Sequence, residues 1–150
     1  MGDHYCTSFT VDQKPEAVYR AVLHVRGWWS GVVEGETDKP GAEFTYRYGD
    51  VHYSKQRVAE LVAGEKVVWD VVDSHISFTE AKTDWNNTRI QFEILDKGGK
   101  TEVRFTHFGL VPELECYGSC SNGWRRLTAE GGNLHKLILT GNDQADAFAS

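Results

Sequence analysis

Three cysteines in 150 residues exclude a complete disulfide framework, because an odd number cannot all pair. No apolar run approaches the roughly 20 residues that a membrane span needs. The first ten residues carry neither the basic start nor the apolar core of a signal peptide. No stripe concentrates Lys and Arg, and the net charge is −6. Nucleic-acid affinity is driven by phosphate neutralisation, so nucleic acid is not an expected partner. The same balance disfavours anionic membrane surfaces. Together these absences predict a reduced, cytoplasmic protein without a membrane span.

Chemical signatures are missing as well. There is no Cys-x-x-Cys and no His-x-x-x-His pair, and Cys116 with Cys120 supplies two of the four ligands a zinc site wants. Gly98-Gly99-Lys100 lacks the spacing of a phosphate loop. No Ser or Asp stands at a recognisable triad spacing from a histidine. No metal, no cofactor and no catalytic residue is predicted. The acidic run Glu34, Glu36, Asp38 reads as a solvated loop, and Glu60, Asp70 and Asp73 as outward strand positions.

What the chain does have is aromatic. Rings make up 12% of it, with five Trp, and large rings need a core or a pocket. The length fits one domain over residues 1–150 with a core of its own. Tyr5 to Val11 alternates as a first strand. Pro15 and Glu16 suit the start of a helix, whose stripe is Val18, Ala21, Val22 and Val25. Gly27 ends it, and Trp28-Trp29-Ser30-Gly31 reads as a turn or a one-turn helix. Val32 to Lys39 reads as irregular. Strands are predicted at Glu43–Tyr48, His52–Val62, Lys66–Asp73, Thr88–Leu95 and Thr101–Phe108, with hairpin signals at Gly49-Asp50 and Gly98-Gly99. Ser74 to Asn87 resists assignment. An edge strand around His75–Thr83 could pair across a homodimer.

Ser119 to Gly141 reads as one closing helix, with Cys120, Trp124, Leu127, Gly131, Leu134 and Ile138 on one face. This order predicts an α+β fold with helices on one face of an antiparallel sheet.

The order and several segments resemble the START/Bet v 1-like (SRPBCC) superfamily, in the branch related to the activator of heat-shock-protein-90 ATPase. The resemblance rests on "KPEAVYRAV", "RGWWSG", "VAELVAGEKVVWDV", "NTRIQFEILDKGGKTEVRFTHFGL" and "GWRRL…LHKLILTG". It implies a helix-grip: a curved antiparallel sheet wrapped around a long C-terminal helix, with two short helices after the first strand. It also implies a small hydrophobic ligand held between sheet and helix. A minority of the superfamily are cyclases, aromatases or hydrolases. The co-chaperone proper carries further sequence and a partner domain that this chain lacks, so a chaperone partner is not expected.

Strand parity then nominates a cavity wall: Phe44, Tyr46, Tyr48, Trp69, Val71, Phe92, Phe105 and His107 from strands, Trp124 and Leu127 from the closing helix. Trp28 and Trp29 are placed at its mouth. His107, Tyr46 and Tyr48 would supply the polar groups. The competing expectation is a filled core, since aromatic stripes usually pack and a buried histidine is usually hydrogen-bonded. An enzyme would need two or more ionisable groups converging inside, and an interaction module would need an exposed apolar patch.

Overall fold

The computed structural model describes residues 4–29, 31–50, 52–77, 85–112, 114 and 117–144. Seven strands, β1 (Tyr5–Val11), β2 (Val32–Gly35), β3 (Glu43–Tyr48), β4 (His52–Val62), β5 (Lys66–Ile76), β6 (Arg89–Asp96) and β7 (Thr101–Phe108), form one sheet. Its order is β1-β7-β6-β5-β4-β3-β2, and every pairing is antiparallel. Neighbours in sequence are therefore neighbours in space except β1, which closes against β7. The helices α1 (Pro15–Leu23), α2 (Tyr117–Thr128) and α3 (Asn133–Thr140) complete the fold, with a 3-10 turn at Val25–Gly27.

Period-two burial sets the inner face. On β6, Ile90, Phe92 and Ile94 are buried; on β7, Val103, Phe105 and His107 are. On β4 the buried positions are Ser54, Gln56 and Val58, an unusually polar stripe for an inner face. Val18 and Val22 of α1 are fully buried, as its stripe predicts. Outward carboxylates are solvated or paired: Asp70 accepts from the Arg89 guanidinium at 2.8 Å on the exposed side.

Three elements differ from expectation. Val32–Gly35, read as irregular, is an edge strand held by pairing with β3 and by Arg26, which donates to the Val33 carbonyl at 3.1 Å and the Gly35 carbonyl at 2.8 Å. Those contacts form only once the chain has turned back on itself, so four polar-flanked residues carry no periodic signal of the strand. β5 runs on to Ile76. His75 and Ile76 pair with Tyr53 and His52 of β4, while the register with β6 stops at Asp70. Residues 78–83 of the expected dimer edge lie outside the described residues, as do Cys116, Glu113 and Glu115.

The closing segment is helical as expected but interrupted. Gly131 takes φ +82°, a left-handed value that an L side chain resists, and its amide N–H donates to His135 Nδ1 at 2.8 Å. Gly132 caps α3 in an extended conformation, and a Cβ there would stand 2.6 Å from the Arg126 carbonyl oxygen. The break lets both halves bury a face: Cys120, Trp124 and Leu127 from α2; Leu134, Leu137 and Ile138 from α3. Gly131 is consequently exposed at the turn rather than on the inner stripe. Gly131→Ala is expected to cost about 1–2 kcal/mol, the usual penalty for a left-handed L residue. Gly132→Ala should cost more, because backbone must shift to admit it. Thermal unfolding of both variants reads the order.

Candidate functional site

The 3-10 turn delivers two tryptophans into the sheet's inner face. Trp28 is fixed by its indole N–H, which donates to the Val22 carbonyl at 3.2 Å. Asn133 of α3 donates to the Trp28 carbonyl at 3.0 Å. Trp28, Trp29 and Trp69 lie parallel within 2–7°, with ring centres 6.0–6.3 Å apart. Trp29 also stacks on Tyr46 at 4.1 Å. Phe44 and Phe92 meet Trp69 edge-on at 5.0 and 5.2 Å. From α2, Trp124 touches Trp29 at 5.1 Å and Phe105 at 4.5 Å.

The structure thus brings Trp28, Trp29, Phe44, Tyr46, Trp69, Phe92, Phe105, His107 and Trp124 into one connected set of rings. Val71 and Leu127 are buried in the same core. Tyr48 is not part of it: at the strand end it is 39% exposed. Burial pushes the Tyr46 hydroxyl's pKa well above the usual phenol value, so it stays a neutral donor and acceptor.

His107 has no exposed surface, and both ring nitrogens are engaged. Trp124 can only donate, so its indole N–H fixes Nδ1 as the acceptor at 3.0 Å. Nε2 therefore carries the proton and donates to Thr88 Oγ1 at 2.8 Å. The Thr88 hydroxyl in turn donates to the Trp85 carbonyl at 2.6 Å. Burial above all, then the neighbouring His52 and His4, lowers the His107 pKa to about 3. It is a neutral linchpin between β7, α2 and the turn before β6.

Sequence reasoning missed three contributors. Trp85, from the unassigned stretch, is buried and stacks on Trp124 at 5.6 Å. His52 meets Trp85 edge-on at 4.4 Å and Tyr46 at 5.5 Å; its Nε2 is buried without a partner, and burial lowers its pKa to about 4. Gln56 is fully buried; its Nε2 donates to Ser54 Oγ at 2.6 Å while Oε1 has no partner. The Trp69 indole N–H is likewise unpartnered. The signal for His52 and Gln56 was their parity with Val58, obscured because polar residues on a strand read as outward. Among the described residues, no three His, Cys, Asp or Glu side chains gather in a metal-binding group. No helix among them is long and apolar enough to cross a membrane.

A curved seven-stranded antiparallel sheet closed by a C-terminal helical segment over an aromatic interior defines the helix-grip class of the SRPBCC superfamily. Within it, the chain belongs to the activator of Hsp90 ATPase homolog 1-like protein family, whose sequence pattern matches residues 12–130. The fold is similar to that of the Aha1 dimer from Colwellia psychrerythraea, at 18% identity and TM-score 0.61, covering 97% of this chain and 98% of that one. It is also similar to DynU16, a protein of the dynemicin biosynthetic locus, at 14% identity and TM-score 0.67. That match covers 95% of this chain but only 49% of DynU16. CalU16 from Micromonospora echinospora matches at 11% identity and TM-score 0.63, over 90% of this chain and 74% of that one. At these identities the likeness concerns the fold. No curated protein matches the sequence.

Proposed function

We propose that this protein binds a small hydrophobic or amphipathic molecule between the sheet and α2. The observation that carries the reading is the interior itself: parallel indoles on the inner face, bordered on β4 by the polar stripe His52, Ser54, Gln56. Apolar walls with a few convergent polar groups are the usual form of a small-molecule site. A pure packing core gains nothing from leaving buried polar atoms unpaired. The similarity to DynU16, from a biosynthetic locus, is in keeping with this reading.

Binding is favoured over chemistry by the histidines. Two of them flank Trp85, but His107 spends both nitrogens on Thr88 and Trp124. Of these two, His52 has a buried ring nitrogen without a partner, Nε2, and one such nitrogen does not make an acid–base pair.

Native mass spectrometry of protein purified from its own cells, with extraction of bound material, tests the proposal. A stoichiometric hydrophobic molecule is expected. A clean apo mass, together with no thermal shift against a lipid and polyketide panel, would move the function to a protein-interaction surface.

A further inference from the structure

Two fully buried polar groups on the inner face lack partners, and they are neighbours. Gln56 lies opposite Val71 and Trp69 opposite Val58 in the β4–β5 register. Gln56 and Trp69 therefore sit diagonally across the same face, a separation that aromatic and long side chains span. The Trp69 indole can only donate. The Gln56 carboxamide uses one atom on Ser54 and leaves the other unpaired, whichever way the amide is turned. A hydroxyl is the group that suits both, since it accepts from the indole and donates to, or accepts from, the carboxamide. A carboxylate could accept from Trp69 and from the turned carboxamide, but its charge would be buried against neutral groups alone, at a large desolvation cost. An ammonium would have no acceptor at the indole.

The ring geometry narrows the ligand further. Trp29 lies parallel to Trp69 and is stacked on Tyr46. Unlike Trp69 and Tyr46, it is carried by neither strand nor helix; it follows the 3-10 turn and precedes β2. Trp28 follows the same turn but is pinned by its indole bond to the Val22 carbonyl and by Asn133 on its own carbonyl, whereas Trp29 can leave without breaking those bonds or a strand pairing. Its seat is a slot for a flat ring against Trp69, the strand neighbour of Gln56.

Resting on the binding reading above, we propose that the ligand is a planar aromatic bearing a hydroxyl, that its ring takes the place of Trp29 in the stack, and that its hydroxyl bridges the Trp69 N–H and the Gln56 carboxamide. The stranded polar atoms bias the closed core toward this opening, because the ligand supplies the hydrogen bonds that the closed packing withholds.

Equilibrium dialysis with 2-naphthol and 2-methylnaphthalene, which match in ring and differ in the hydroxyl, tests this. The protein should hold 2-naphthol about tenfold more tightly or better, as a buried hydrogen-bonding pair gives. Gln56→Met keeps the volume and removes the carboxamide; it should cut the preference for 2-naphthol, leaving only the part that the Trp69 N–H supplies. Trp69→Phe, which removes the N–H, serves the same purpose should Gln56→Met not fold. Equal affinities for the two probes, or a preference that neither variant reduces, overturn the inference and leave the binding reading standing. A probe-bound crystal structure with an ordered water, rather than the naphthol oxygen, between Gln56 and Trp69 also overturns it. Binding of neither probe overturns it as well; the native mass spectrum then separates the two readings, since a co-purified molecule keeps the broader one and an apo mass ends both.

Discussion

Trp124→Ala is expected to remove about 3–5 kcal/mol of folding stability, the range for deleting a buried aromatic. Single domains hold only about 5–15 kcal/mol in total, so this variant should be close to unfolding at 37 °C. Three terms add. The indole is 2% exposed and joins α2 to Trp29, Trp85 and Phe105, so its loss leaves a void between helix and sheet. The α2 stripe loses its largest member, leaving Cys120 and Leu127 to hold the face. His107 Nδ1 loses its donor in a place water does not reach. Trp124→Phe helps to separate these terms, because it keeps an aromatic ring in place and removes the N–H with a smaller loss of volume. It should cost about 1–3 kcal/mol, the penalty for stranding one buried acceptor. Urea denaturation midpoints of the three proteins measure both steps. A loss below about 1 kcal/mol for Trp124→Ala would mean that α2 is held to the sheet by other contacts.

Acid should destabilise the protein well before its carboxylates titrate. In the unfolded chain His107 protonates below about pH 6.5. In the fold it resists protonation down to about pH 3, because burial disfavours the charged ring. Between those values the unfolded state binds a proton that the folded state refuses, so stability is full above pH 6.5 and falls as the pH drops. The slope for one such group is about 1.4 kcal/mol per pH unit. From pH 6.5 to 4.5 that amounts to roughly 2–3 kcal/mol. His52 acts in the same direction down to about pH 4. Denaturation midpoints measured from pH 8 to 4.5 should be level above pH 7 and decline steadily below 6.5. His107→Gln should lower the starting stability yet flatten the decline by about one proton. A profile level down to pH 5 in the parent protein would contradict the buried, neutral His107.

Local chemistry made much of this legible in advance. Six of the seven strands and the first helix follow from alternation, from Pro15 and from the hairpin glycines, because period-two and period-3.6 burial are written directly into side-chain order. The inward set on β6 and β7, including His107, follows from the same parity. Elements without a local signal were missed. The short β2 depends on Arg26 and on β3, and Trp85 sits in a turn where no period exists to place it.

Composition and pattern alone determined an acidic α+β domain with an aromatic inner face and a closing helical segment, since each of those depends on neighbours near in sequence. Only the tertiary structure decided what the inner face does. It showed that His107 is fully spent on Thr88 and Trp124, that Tyr48 turns outward, and that the polar face of β4 points inward. The reason is physical: a hydrogen bond between β7 and α2, or an unpaired atom between β4 and β5, belongs to pairs of residues that meet only when the sheet has closed.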